Sequence, residues 1–539
     1  MVWLAVRWFA WIFIYVAAIG FAAGSGRSAP ETSDRRSSSF ASGPAIVLYL
    51  AAAKLFFHLL TANRYGISGD ELYYLACAGH LAWGYVDQPP LIALLVWFAR
   101  HVLGDSLLGL RLLPAIAGAT LVWLTGRITR EVGGGRFAQA LAALAVAVVP
   151  AYMILQHWMR MNAFEPIIWT ACAWCVVRAI NSGQPRYWLG FGALAGVGME
   201  NKYSVAFFVL SVLIGLAATP ERRLLTSRWL WAGGLAGFLI FLPNLIWLFR
   251  HHFPFLELMH NVHTYGGVTW FVDLLAFIQD QAIVLNPALL PLWVGGLAWL
   301  LFGRGGTHYR GLALAYLVML AVFTVLGGKD YYLAPAYPML LAAGAVSFER
   351  ATRDRRAWSR SAYVALTVGA GALAALLSAP ILPVDTYVRM TRPAGATQGG
   401  EFDADPLPLY FSDEFGWEDM TREVARVYNS LPPDQRFRTA ILAKDYSEAG
   451  AIDFFGPKYG LPKAICPHQN YWLWGPRNYS GDMIIMLGSD FNESYFRSVE
   501  IVGHVDGRYS RRDEHFDIFL CRGLKWPLPE VWPKMKHWS

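Results

Sequence analysis

Apolar residues in this chain come in long blocks, many of them close to the ~20 residues that cross a bilayer as one helix. No other feature restricts the fold as strongly. Such blocks run over 44–62, 108–126, 137–154, 163–180, 187–200, 203–219, 229–249, 283–303, 310–327, 332–348 and 361–380, with another at 2–23. Several are short or merge with their neighbours. They predict a polytopic α-helical membrane protein with about 11–13 transmembrane helices. Only 15% of residues are charged, against roughly a quarter in soluble domains. The 23 Trp, 25 Tyr and 32 Phe suit rings that populate bilayer interfaces. Block 2–23 reads as a cleaved signal or as an additional helix, and its long apolar run favours the helix.

The formal charge of +7 does not indicate nucleic acid as a partner, because the basic residues sit in short loops between apolar blocks. Arg127, Arg130 and Arg136 mark one such loop, Arg178 and Arg186 a second, and Arg222, Arg223 and Arg228 a third. Arg304 and Arg310 mark a fourth, and the run 348–360 is the most basic. Segments poor in Lys and Arg alternate with these loops. Basic loops stay in the cytoplasm, which puts 63–107, 250–282 and the C-terminal tail outside. The chain divides into an N-terminal hydrophobic segment and polar linker (1–43), a transmembrane domain (44–384) and a soluble extracytoplasmic tail (385–539). A bacterial inner (plasma) membrane is the expected location.

In the tail, 439–443, 463–466, 483–487 and 517–521 have strand character, while 416–431 and 446–460 read as helices. A small α/β domain is expected. Cys172 and Cys175 form a C-x-x-C inside an apolar run and read as packing residues of a membrane helix. Cys466 and Cys521 lie in the tail, where an oxidising compartment would permit pairing.

Polar residues gather in 63–107. Ser68-Gly-Asp-Glu71 has capping-box spacing, with Glu71 reaching back to Ser68. Glu71 therefore has a structural reading beside a catalytic one. Asp70 would sit in the first helical turn, where the dipole favours its ionised form, and it reads as functional. Asp87 precedes Gln88-Pro89-Pro90, whose prolines stiffen the approach. A turn-capping role is the alternative for Asp87. Lys202, at an outer helix end, is costly near the bilayer unless paired or at the interface. Snorkelling is its bland reading.

An Asp-Glu pair after the first helix, an amphipathic segment and an Asp-x-Pro-Pro-Leu element together resemble the GT-C glycosyltransferases. The narrower likeness is to glycosyltransferase family 39, the protein O-mannosyltransferases, and to bacterial aminoarabinose transferases. Lys202 in GMENKYS, the segment KDYYLAPAYPMLLAAGA at 329–345, and a loop holding His260 and His263 fit as well. The likeness covers roughly 44–380. It implies an inverting membrane glycosyltransferase that moves a sugar from a polyprenyl-phosphate donor to an envelope lipid, glycan or protein. In that reading Asp70, with Glu71, is catalytic. Lys202, Tyr332, Lys329 and Arg160 bind the donor phosphate, and Asp87, Glu165 and Asn162 form a second acidic site. A divalent metal held by Asp87, His260 and His263 is a further expectation. Two departures stand out. Asn162 occupies a position where relatives carry Asp, with Glu165 three residues on. Gln88 replaces a Lys found in the aminoarabinose enzymes. The competing reading is a secondary transporter of a polar or lipid-linked solute, although no internal repeat supports it. The sugar, the acceptor and the oligomeric state are not legible.

Overall fold

A computed structural model of the chain describes residues 41–265, 272–353, 357–391, 406–488, 493–511 and 515–539. The apolar block at 2–23 lies outside them. The α-helices of six or more residues are α1 (Gly43–Thr61), α2 (Gly69–Ala78), α3 (Leu91–Leu103), α4 (Leu107–Glu131), α5 (Arg136–Ala147), α6 (Pro150–Leu155) and α7 (Met161–Ser182). They continue with α8 (Tyr187–Asn201), α9 (Val205–Ala217), α10 (Arg228–Arg250), α11 (Pro254–Tyr265), α12 (Leu274–Leu285), α13 (Leu290–Phe302), α14 (Arg310–Val325) and α15 (Tyr337–Ala351). The C-terminal part holds α16 (Ala357–Ser378), α17 (Val384–Thr391), α18 (Trp417–Ser430), β1 (Thr439–Leu442), α19 (Tyr446–Phe455), α20 (Gln469–Trp474), β2 (Met483–Leu487), β3 (Ser498–Val505) and β4 (Phe516–Arg522).

Each apolar block between 44 and 380 is helical, so the chain is a multi-pass membrane protein. Six helices, at Gly43–Thr61, Leu107–Glu131, Met161–Ser182, Arg228–Arg250, Thr307–Val325 and Trp358–Ser378, are long and apolar enough to cross a bilayer. Leu274–Leu285 and Pro287–Phe302 would make a seventh span, but the pair is bent by 102°. Fewer described helices than the expected 11–13 can therefore cross on their own. The remaining blocks end early. At ~1.5 Å per residue, a 15-residue helix such as α8 reaches ~22 Å, short of a ~30 Å hydrocarbon core. The breaks have local causes. Pro150 opens α6 and holds Val149 extended, which ends α5. Lys202 is extended after α8 (φ −161°, ψ 135°). Asn286, with φ +85°, separates α12 from Pro287.

The chain forms two compact units. The first comprises residues up to 62, then 108–247 and 269–381. It holds the membrane helices around one apolar core. Helices α8 and α10 cross with their backbones nearly touching. A Cβ on Gly192 would lie 1.9 Å from the Gly233 carbonyl oxygen, and one on Gly237 would lie 2.5 Å from that of Gly192. Two glycines spaced four apart on each helix permit this approach. Trp231 of α10 is 77% exposed, as a lipid-facing side chain would be.

The second unit gathers 63–107, 248–268 and 382–539, three segments that the basic-loop pattern places on one side. Its sheet has the order β1-β2-β4-β3. β1 and β2 run parallel, and β4 is antiparallel to both of its neighbours. Ala440, Leu442, Ile484, Met486, Phe519 and Cys521 share one core. The expected strand at 463–466 is only a bridge, Ile465 to Leu442. β3, whose side chains are almost all exposed or half-buried, goes unrecognised in the sequence. Cys466 and Cys521 are both free and buried, which corrects the pairing considered for them. Helix α19 lies against α2 so closely that a Cβ on Gly450 would come within 2.8 Å of the Leu72 backbone.

Candidate functional site

In the second unit, α2 starts where the sequence indicates. Ser68 Oγ accepts from Glu71 N at 3.4 Å, and Glu71 Oε2 accepts from Ser68 N at 3.1 Å. Glu71 is fully buried, so its carboxylate carries the structural role that the spacing suggests. Asp413 Oδ2 accepts from Gly69 N at 3.2 Å and adds a second anchor from the tail. Asp70, one residue on and partly exposed, turns to a different side. Its Oδ1 accepts a hydrogen bond from the Tyr446 hydroxyl at 3.0 Å. Tyr446 opens α19 and stacks between Tyr73 (centroids 4.5 Å apart) and His468 (4.9 Å). Asp70's charge, followed by burial, raises the Tyr446 phenol well above its ordinary range. The phenol therefore stays a donor.

Asp87 is reached by a one-way relay. Val86 N donates to Asn470 Oδ1 at 3.1 Å, so the Asn470 Nδ2 end must donate, which it does to the Tyr73 hydroxyl at 3.0 Å. Tyr73 in turn donates to Asp87 Oδ1 at 2.8 Å. Burial pushes the partly exposed Asp87 carboxyl up to about 7. The Tyr73 hydrogen bond opposes that rise, and the charge of Asp70 adds to it. Asp70 and Asp87, 17 positions apart, thus belong to one electrostatic group, and both are braced by tyrosine hydroxyls. His468 is buried, and its imidazole is depressed to about 3, chiefly by burial and secondly by His537. It packs as a neutral ring against Tyr446.

In the first unit, the extended Lys202 reaches the first turn of α7. Its Nζ donates to Asn162 Oδ1 at 2.9 Å and to Glu165 Oε2 at 3.0 Å. It lies 4.4 Å from the Tyr332 ring centroid and 6.0 Å from that of Tyr331. The other Glu165 oxygen accepts from Ser204. Asn162 and Glu165 are therefore the counter-groups of Lys202 within this unit, and the pair is compact and mostly buried. Arg160 precedes α7, with its guanidinium 4.2 Å from the Trp158 ring centroid. No side chain caps α7 there, which leaves backbone N–H groups beside Lys202. Lys329 is exposed at the start of the turn that carries Tyr331 and Tyr332.

His260 and His263 lie on α11. Among the described residues, no three His, Cys, Asp or Glu side chains gather as metal ligands, so the expected trio with Asp87 does not assemble. Sequence reasoning missed Tyr73, Ser204, Tyr446, His468 and Asn470. Only Tyr73, one turn after Asp70, carried a usable signal, since residues three apart on a helix share a face.

Residues 87–247 match the model of a family described as dolichyl-phosphate-mannose-protein mannosyltransferase. The fold is similar to that of ArnT from Cupriavidus metallidurans bound to undecaprenyl phosphate. That pair has a TM-score of 0.59 at 12% identity, covering 88% of this chain and 97% of the other. Apo ArnT from the same organism gives 0.57 at 13% identity, covering 89% and 98%. No curated protein matches the sequence. The likeness to GT-C glycosyltransferases read from the motifs therefore holds at the level of fold.

Proposed function

We propose that this GT-C-fold chain is a membrane glycosyltransferase that moves a sugar from a polyprenyl-phosphate carrier onto a hydroxyl of a cell-envelope lipid, glycan or protein. The observation that carries the reading is the pair of tyrosine-braced carboxylates, Asp70 and Asp87. Their environments differ, as acid–base work requires. The mannosyltransferase match over 87–247 and the fold of an ArnT seen with undecaprenyl phosphate support the donor class. We place the reaction at the outer face of a bacterial inner membrane, with the tail extracytoplasmic, because the basic loops fall on the opposite side.

Asp70 accepts the proton of the acceptor hydroxyl. The oxygen then attacks the anomeric carbon from the face opposite the phosphate. The carbon–oxygen bond to the carrier breaks, its electrons pass to the departing polyprenyl phosphate, and the configuration inverts. Charge grows on that phosphate. In the first unit, Lys202 and Arg160 supply cationic charge of the kind that stabilises such a phosphate more in the transition state than in the ground state, with Tyr332 beside the ammonium. Glu165 and Asn162 hold Lys202 in place and are not bases here. Asp87 sets the field at Asp70 through its own protonation.

Purified protein incubated with polyprenyl-phosphate sugar and an envelope extract should transfer label, and Asp70→Asn should lose transfer while keeping normal expression. Unchanged transfer by Asp70→Asn removes the mechanism. Solute uptake into vesicles without transfer replaces it with the transporter reading.

A further inference from the structure

A groove of about 660 Å³ opens along the membrane helices of the first unit. Trp174 and Cys175 of α7 form one wall, Gly190 and Ala193 of α8 the floor, and Trp229 of α10 an end. The size lies within the roughly 300–1,000 Å³ range of small-ligand sites. The tight glycine crossing of α8 and α10, where a Cβ on Gly233 would lie 2.1 Å from the Trp188 carbonyl oxygen, sets the groove's shape. Gly190 lies twelve residues before Lys202 on the same helix, or ~18 Å along its axis. The groove is therefore separate from the Lys202 cluster and lies toward the opposite membrane face.

Its polar end is cationic. Arg186 lines it, and Arg228 precedes Trp229, with its guanidinium 5.8 Å from that ring centroid. Both arginines are exposed, and neither has a hydrogen-bond or ion-pair partner among the described residues. The neighbouring Arg178 differs, since Glu131 and the Tyr187 hydroxyl occupy it. That pairing fixes Tyr187 at the groove mouth. Trp174 Nε1 is buried without an acceptor, a donor suited to an ester oxygen. Aromatic rings at an interface, two unpaired guanidinium groups and an apolar trough ~18 Å from the donor-phosphate end are complementary to one class of molecule. We propose that the groove seats an acyl chain of an anionic bilayer phospholipid, with Arg186 and Arg228 on its phosphate. Basic pockets between membrane helices on the cytoplasmic side bind such headgroups, and guanidinium pairs well with phosphate.

The test is independent of sugar transfer. Full-length protein is reconstituted in phosphatidylcholine vesicles doped with phosphatidylglycerol, re-extracted, and its retained lipid identified by native mass spectrometry. Phosphatidylglycerol should be retained over phosphatidylcholine. Arg186→Gln and Arg228→Gln should each lower that preference about fivefold, as expected for one surface arginine near lipid phosphate. Gly190→Phe should displace the lipid without unfolding the protein, since a Cβ there meets only Cys175 Sγ at 3.5 Å. Equal retention of the two lipids, or preference unchanged in the double arginine variant, overturns the proposal. So does retention of an endogenous polyprenyl phosphate in place of phosphatidylglycerol.

Discussion

Tyr446, in the C-terminal tail, donates its hydroxyl to Asp70, which follows the first membrane helix, across 376 positions of sequence at 3.0 Å. The tail is thereby part of the acidic constellation and orients the carboxylate to which we assign acceptor deprotonation. Tyr446→Phe keeps the stack on Tyr73 and His468 but removes that bond. A hydrogen bond to a charged group contributes roughly 1.5–3 kcal/mol, so losing it should lower transfer about 10- to 100-fold in a protein that still folds. Transfer at the unmodified rate would show that the contact does not orient Asp70.

Gly450 sits one turn after Tyr446, where α19 meets the Leu72 backbone. Gly450→Val has no flexible neighbour to displace, so α19 must move, carrying Tyr446 away from Asp70. Overpacking of this kind costs about 1–3 kcal/mol. Transfer should drop by more than in Tyr446→Phe, and the tail should become more sensitive to limited proteolysis. An unaffected variant would mean that the helix contact tolerates a side chain.

Asp87 gives a pH signature. Its folded value of about 7 exceeds the ~3.9 of an unfolded Asp. The group contributes most stability below about pH 4, and that contribution is lost as pH rises through about 7. Asp87→Asn keeps an acceptor for Tyr73 and cannot ionise. Its melting temperature should therefore gain on the parent as pH rises from about 4 to about 7. A constant difference across that window would show that the carboxyl is not held protonated.

Lys202 and Glu165 are coupled. Lys202→Met leaves Glu165, whose side chain is 3% exposed, without its cation. Breaking such a pair costs up to about 3–5 kcal/mol. Adding Glu165→Gln should recover most of the stability, because Gln still accepts from Ser204. It should not recover donor binding. A double-mutant cycle read by thermal melting and by donor affinity separates the two roles. Full recovery of affinity would remove Lys202 from the phosphate site.

Much of this was legible from local chemistry. Apolar block length gave the helices, and the basic loops grouped 63–107 with the tail. Ser68 and Glu71 declared their cap by a spacing of three. The breaks within the blocks were harder to see, because a single extended residue such as Lys202 barely alters local hydropathy yet ends a helix. Tyr446 and Asn470 were invisible for another reason. Their partners lie 376 and 397 positions away, and nothing in YSEAGAIDFF or QNYWLW marks a residue as facing a carboxylate. Glu165 looked like a replacement base because sequence shows its charge but not the ammonium beside it.

Residues 536–539 are woven into the second unit. Gln469 Nε2 donates to the Ser539 carbonyl at 2.9 Å, Asn261 Nδ2 donates to the Trp538 carbonyl at 2.8 Å, and Lys536 pairs with Glu257 at 2.5 Å. During synthesis, Asp70 and the α11 segment must wait for residues 376 and 277 positions further along the chain. Until then the carboxylates lack their tyrosine and asparagine braces. The unit is thus timed to mature only once the helices that lie between its three segments in the sequence have been made.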